Sequence, residues 1–154
     1  MNLWEIQNQN LFMKIQIKRI DKKLPLPQYE TAGSVGLDLI CRTTVKIKSS
    51  ESILIPVNII VQVPKNLMLI IVPRSSMYRK KGLIFPHSIG IIDQDFCGPK
   101  DELMLQVLNI SKKVAIVERG ERIAQGVFVS IEKAEWQETN LIQKKSRGGF
   151  GATG

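Results

Sequence analysis

The pattern richest in possible chemistry is a turn bracketed by glycines, Gly90-Ile91-Ile92-Asp93-Gln94-Asp95-Phe96-Cys97-Gly98. A carboxylate beside a nucleotide pocket can orient a water and take its proton, which makes Asp93 a candidate base. A ring three residues on, Phe96, can stack against a sugar. The plainer account of the same residues is an acidic hairpin turn. A second segment, Pro73-Arg74-Ser75-Ser76-Met77, leads into a stretch with helical signals. A helix N-terminus offers unpaired N–H groups and the positive end of a dipole, and so binds phosphate. Arg74 adds a fork-shaped donor, and Ser75 or Ser76 adds a hydroxyl for a bridging phosphate oxygen. An ordinary helix cap with a surface arginine is the alternative.

Three further segments carry weaker signals. In Ala32-Gly33-Ser34-Val35-Gly36-Leu37-Asp38-Leu39, glycines permit tight turns before a carboxylate at the head of an apolar run. Asp38 could hold a metal-bound water, since magnesium keeps much of its hydration shell, or it could simply cap backbone amides. In Gly120-Glu121-Arg122-Ile123-Ala124-Gln125, long polar side chains sit on a strand that otherwise reads as core. Such groups are costly there unless paired, so Arg122 and Gln125 either line a phosphate site or brace a subunit contact. The C-terminal stretch Ser146-Arg147-Gly148-Gly149-Phe150-Gly151-Ala152-Thr153-Gly154 could cradle phosphates through backbone N–H groups, or fray as chain ends do.

The elements that must position these residues read mostly as strands. Met13–Lys18 and Val45–Lys48 alternate with period two. Ile53–Val63 and Leu67–Val72 are rich in Ile, Val and Leu and are punctuated by Pro56, Pro64 and Pro73. Leu103–Leu108, Val114–Val117 and Ile123–Ile131 complete the set. Many short strands with turns at close spacing predict an all-β barrel or sandwich. Ser75–Lys81 is the exception and predicts one short helix, with Ser75 as N-cap, Arg79 to Lys81 at the C-terminal end and Gly82 beyond it.

Composition narrows the class. The 154 residues, 44% hydrophobic, fit one compact domain with a real core. No apolar run spans a bilayer, and Met1–Phe12 lacks the features of a secretory signal, so a cytoplasmic protein without membrane contact is expected. The two cysteines, with only one histidine in the chain, give neither a disulfide framework nor zinc-finger spacing. The net charge of +8 favours anionic partners. Its clusters are short, at Lys18-Arg19, Arg79-Lys80-Lys81 and Lys144-Lys145, and aromatic and basic residues do not interleave as in a single-strand groove. No specific nucleic acid is therefore expected.

The five segments, in this order, resemble the five motifs of the trimeric dUTPases, and PLPQYET upstream is similar to that family's usual opening. Five weak motifs in register over about 120 residues are far more specific than any one of them. The resemblance runs from about Met13 to Gly154 and implies a distorted, jelly-roll-like β-barrel. It further implies a homotrimer with active sites at the subunit interfaces. Residues 1–12 are then an extension or precede the true start at Met13, 13–143 form the barrel domain, and 144–154 form an arm closing over an active site. The implied reaction hydrolyses dUTP to dUMP and pyrophosphate by Mg2+-assisted attack of water on the α-phosphorus. It would keep dUTP low and supply dUMP for dTMP synthesis.

The roles that the resemblance implies fall on particular residues. Asp93 is the general base, and Asp38 positions hydrated magnesium. Arg74, Ser75 and Ser76 contact the phosphate chain. The hairpin around His87 to Ile91 reads uracil, so that His87, Gly90 and Ile92 bind substrate. Phe96 stacks on deoxyribose and leaves no room for a 2′-hydroxyl. Arg122 and Gln125 support the phosphates, and Phe150 covers the base. Either Arg147 or Lys145 reaches the γ-phosphate, because Arg147 abuts Gly148 where relatives have two or three residues between. Phe96 stands where the family usually has tyrosine, His87 where bacterial relatives usually have asparagine, and Met77 where a small aliphatic residue is usual. Two rival readings share the scaffold. One is a dCTP deaminase, against which Gln106 stands at about the place of the glutamate that deamination needs. The other is a non-catalytic nucleotide-binding regulator, against which both Asp93 and Phe150 are present.

Overall fold

The computed structural model describes residues 13–146 and 148–149. Among them are eleven short strands and one helix. The strands are β1 (Ile17–Arg19), β2 (Leu37–Leu39), β3 (Val45–Ile47), β4 (Ser52–Pro56), β5 (Ile59–Val61) and β6 (Leu67–Pro73), followed after the helix α1 (Met77–Lys81) by β7 (Leu83–Ile84), β8 (Gly90–Ile92), β9 (Met104–Asn109), β10 (Ala115–Val117) and β11 (Ala124–Ser130). They form a four-stranded sheet in the order β2-β11-β6-β8, a three-stranded sheet β4-β9-β7, and two pairs, β1-β5 and β10-β3. Every pairing is antiparallel. The mostly-β class is as the sequence predicts. No sheet closes on itself among the described residues, so the expected barrel is a set of sheets wrapped around one core.

Alternation explains why these residues form strands. On β6, Leu67, Leu69 and Ile71 are buried while Met68 and Ile70 are less so. On β9, Leu105 and Val107 face inward while Met104 and Gln106 face out. Their inward sides meet Leu39, Ile47, Ile55, Leu83 and Val117 in one cluster. Each such side chain stabilises the fold by roughly 1.5–3 kcal/mol over leaving it in water.

Several boundaries differ from the sequence reading. Pairing starts at Ile17 rather than Met13, because β1 has only the three-residue β5 as partner. The run Ile53–Val63 breaks into β4 and β5 at Val57-Asn58, where Asn58 takes φ 70°. The helix is capped by Ser76 and not by Ser75, and the cap makes no side-chain hydrogen bond. Gly82 does occupy the left-handed position, φ 62°, which an L side chain rarely adopts, and its N–H donates to the Tyr78 carbonyl. The strands β7 and β8 have no counterpart in the pattern reading, being too short to show a period.

Buried polar groups are matched across the fold. Asn58 Oδ1 accepts from the Asp21 N–H at 2.6 Å, and the Asn58 N–H donates to Glu102 Oε1 at 2.8 Å. Arg42 grips that carboxylate through two nitrogens at 2.8 and 2.9 Å, and the pairing raises the guanidinium's proton affinity. The Arg119 guanidinium beside Asp21 holds its carboxyl below the usual carboxylate range. Asn109 donates to the Ile47 and Lys113 carbonyls at 2.9 and 2.8 Å. Both cysteines are free, and burial pushes the Cys41 thiol up to about 12, so it stays protonated and unreactive. Among the described residues, one buried side-chain oxygen or nitrogen lacks a hydrogen-bond partner: Asp38 Oδ2.

Candidate active site

Asp38 is central to β2 and 5% exposed. Antiparallel pairing sets it opposite Gln125 on β11, and Gln125 lies opposite Val72 on β6. The ends of three strands are thereby brought together. Arg74 follows directly on β6, and its N–H donates to the Ile123 carbonyl at 2.8 Å, which ties the strand end to the segment entering β11. Its Nη1 lies 3.1 Å from Asp38 Oδ2, and Nη1 of Arg122 lies 3.5 Å from the same oxygen. Two guanidinium groups thus flank a buried carboxylate oxygen without aligned hydrogen bonds to it. Ion pairing keeps that buried charge tolerable, while the unsatisfied lone pairs leave capacity for a further donor such as a water.

The neighbourhood is shaped around this cluster. A Cβ at Gly36, just before β2, would lie 2.5 Å from Gln125 Oε1, so the bare glycine lets the Gln125 amide sit close against the backbone there. Ser76, Lys80, Glu121 and Arg122 line a cleft of about 130 Å³ with Arg74. Ser75 is exposed at the same junction. Arg122 carries a second ion pair that the motif reading did not foresee, to Glu30 Oε1. Glu30 has no spacing signal to mark it, and only the β2–β11 register brings its segment near Arg122.

The other predicted residues lie elsewhere in the protomer. On β8, Gly90 is opposite Ile71 and Ile92 opposite Leu69. Asp93 therefore follows level with Met68, six residues before Arg74 on the same strand, or about 20 Å at a strand's rise per residue. Asp93 and Phe96 are both exposed, and Asp93 lines a separate cavity of about 380 Å³ with Met68, Ile92 and Lys133. His87 is exposed in the connection from β7 to β8, which pair in different sheets and so form no hairpin, and it stacks on Phe85 at a centroid distance of 5.7 Å. Within one protomer, Asp38, Arg74, Arg122 and Gln125 are gathered, whereas Asp93 and Phe96 are not brought to them. Lys145 is exposed, and Arg147 and Phe150 lie outside the described residues.

Fold and site together define a mostly-β domain with a small, arginine-lined cleft at the end of its largest sheet. The family model for dUTPase matches residues 22–154. A deoxyuridine 5'-triphosphate nucleotidohydrolase from Haemophilus ducreyi is 38% identical over 147 residues, covering 92% of this chain and 95% of the relative. The crystal structure of dUTPase from Streptococcus mutans aligns with a TM-score of 0.72 at 29% identity, over 78% of this chain and 98% of that one. Staphylococcus bacteriophage 80alpha dUTPase with dUPNHPP aligns with a TM-score of 0.78 over 92% of this chain and 98% of that one; at 22% identity this likeness shows the fold alone. The chain belongs to the dUTPase family.

Proposed function

We propose that this protein hydrolyses dUTP to dUMP and pyrophosphate, as the names of its relatives describe for them, at sites shared between subunits of a homotrimer. The observation that carries the reading is the Arg74–Asp38–Arg122 cluster, a positively flanked cleft with one unsatisfied buried oxygen, in a chain of this family. Arg74 and Arg122 hold the phosphate chain, with Ser75, Ser76 and Gln125 beside them. Asp93 takes a proton from the attacking water, and Phe96 stacks on the sugar. The segment of His87, Gly90 and Ile92 reads the base. Arg147 or Lys145, with Phe150, belongs to the arm of residues 144–154 that closes the site. Low dUTP and a supply of dUMP for dTMP synthesis are the consequences for the cell.

Two features support a shared site. A cleft of about 130 Å³ is below the usual range for a small-molecule pocket, roughly 300–1,000 Å³. The proposed base is also about 20 Å along β6 from the proposed phosphate ligands. A second copy placing its Asp93 face against this cleft would complete the pocket and supply the missing carboxylate. Assembly into a closed barrel-like trimer would then be coupled to activity.

Asp38 fits a hydrated magnesium ion. It is a buried carboxylate whose Oδ2, though flanked by Arg74 and Arg122, accepts no hydrogen bond and so has room for one from a metal-bound water. No cluster of three His, Cys, Asp or Glu side chains among the described residues would form a full protein cage. Magnesium characteristically binds through one or two carboxylates, waters and substrate phosphates. When bound it would offset the charge that develops on the leaving pyrophosphate. The dCTP deaminase reading finds no support at Gln106, which is exposed on β9 opposite Leu54 and lacks an ionisable proton.

The decisive assay is pyrophosphate release with dUTP, UTP, dCTP and dTTP side by side, with and without magnesium. Release from dUTP well above the other three, dependent on magnesium, is expected. Ammonia from dCTP, or no selectivity for dUTP, would overturn the reading. Deleting Arg147–Gly154 should lower turnover at least tenfold while the thermal midpoint moves little. Early unfolding of the truncated protein would instead make the arm part of the fold.

A further inference from the structure

The charge balance of the cleft carries one step more, which rests on the phosphate-site reading above. Arg74 and Arg122 meet two carboxylates, Asp38 and Glu30, so the four side chains together are neutral. Lys80 and Lys81, with Glu121, line the same cleft and leave it net positive, yet a ligand that uses both guanidinium groups must still displace a carboxylate. The two carboxylates are held very differently. The Asp38 side chain is 6% exposed on a strand whose register fixes it opposite Gln125, and its N–H donates to the Gln28 carbonyl at 3.1 Å. Moving it would strand a buried charge, which costs several kcal/mol. The Glu30 side chain is 49% exposed, in a segment without strand or helix that runs into the turn closed by the Ser34 N–H on the Thr31 carbonyl. Glu30 can rotate into water and keep its hydration.

We infer that Glu30 is a built-in competitor for Arg122: it pairs with the guanidinium and is displaced from it by a phosphate group of the ligand. Glu30 is thus a positioning residue that weakens phosphate binding, and it never touches the reacting atoms. Its role is opposite in sign to that of a residue that merely braces Arg122. A brace, when removed, lets Arg122 wander and weakens the ligand. A competitor, when removed, frees Arg122 and tightens it.

The test compares the wild type with Glu30→Gln and Glu30→Ala by calorimetric titration with pyrophosphate and by steady-state hydrolysis of dUTP. Both variants should bind pyrophosphate about two- to five-fold more tightly, the scale of a half-exposed ion pair. KM for dUTP should fall by a similar factor, larger than any accompanying change in kcat. In an Arg122→Gln background the same Glu30 substitutions should have no effect on pyrophosphate binding. Weaker or unchanged binding in the single variants overturns the inference, as does tightening that persists without Arg122, since that would be a general charge effect. A wild type that binds pyrophosphate and leaves dUTP intact would sink the proposed reaction while the titrations still decide the role of Glu30. A wild type that does not bind pyrophosphate overturns the inference itself.

Discussion

Asp93→Asn should lower turnover of dUTP by a factor on the order of 10²–10⁴, the usual contribution of a positioned general base, with nucleotide binding retained. The substitution is close to isosteric and removes only the ability to accept a proton. Asp93 is exposed just past β8, and the bond that shapes its turn runs from the Phe96 N–H to the Asp93 carbonyl at 3.3 Å, a backbone contact that asparagine keeps. Stability should therefore hardly change. Binding should survive because the guanidinium groups are anchored elsewhere, at the far end of β6. Single-turnover kinetics separate the chemical step from product release, and titration with a non-hydrolysable dUTP analogue reports affinity. Turnover within about tenfold of wild type would remove Asp93 as the base, because a lost general base costs more than that.

How much of this was legible in the sequence depends on how local each feature is. Alternation along Leu67–Val72 and Leu103–Leu108 needs no partner to be seen, and those strands stand as β6 and β9 with shifts of a residue or so. Gly82 after a basic turn is a local signal as well, and it does end the helix. Ser75 and Ser76 are equally good caps by type, so composition could not choose between them. Arg122 and Gln125 are polar groups that a core strand tolerates only if paired, and Arg122 is paired, with Asp38 and with Glu30. Glu30 itself could not be read, since the contact spans 92 positions and depends on strand register. The Asn58–Glu102–Arg42 network was missed for the same reason, its members lying 44 and 60 positions apart. Arg147 and Phe150 rest on the sequence alone.

Co-expressing an Arg74→Gln chain with an Asp93→Asn chain should restore activity that neither protein has alone. If the base and the phosphate ligands of each site come from different subunits, a mixed trimer contains sites with an intact Arg74 from one chain and an intact Asp93 from the other. Random assembly makes about a quarter of the sites intact, so the mixture should show about a quarter of wild-type turnover, far above either parent. Glutamine at position 74 is shorter but keeps a polar N–H donor while removing the charge, and Arg122 remains beside the buried carboxylate. Mixing the two proteins after separate purification controls for exchange, because recovery should then track the rate at which subunits trade places. The expectation follows from a length that the backbone fixes: β6 separates Met68, level with Asp93, from Arg74 by about 20 Å, and a strand paired on both sides does not fold back to shorten it. A pocket built within one chain would leave every site in the mixture with one lesion or the other. Mixed protein as inactive as its parents, in material shown by mass to contain both chains, would therefore place base and phosphate ligands in the same subunit.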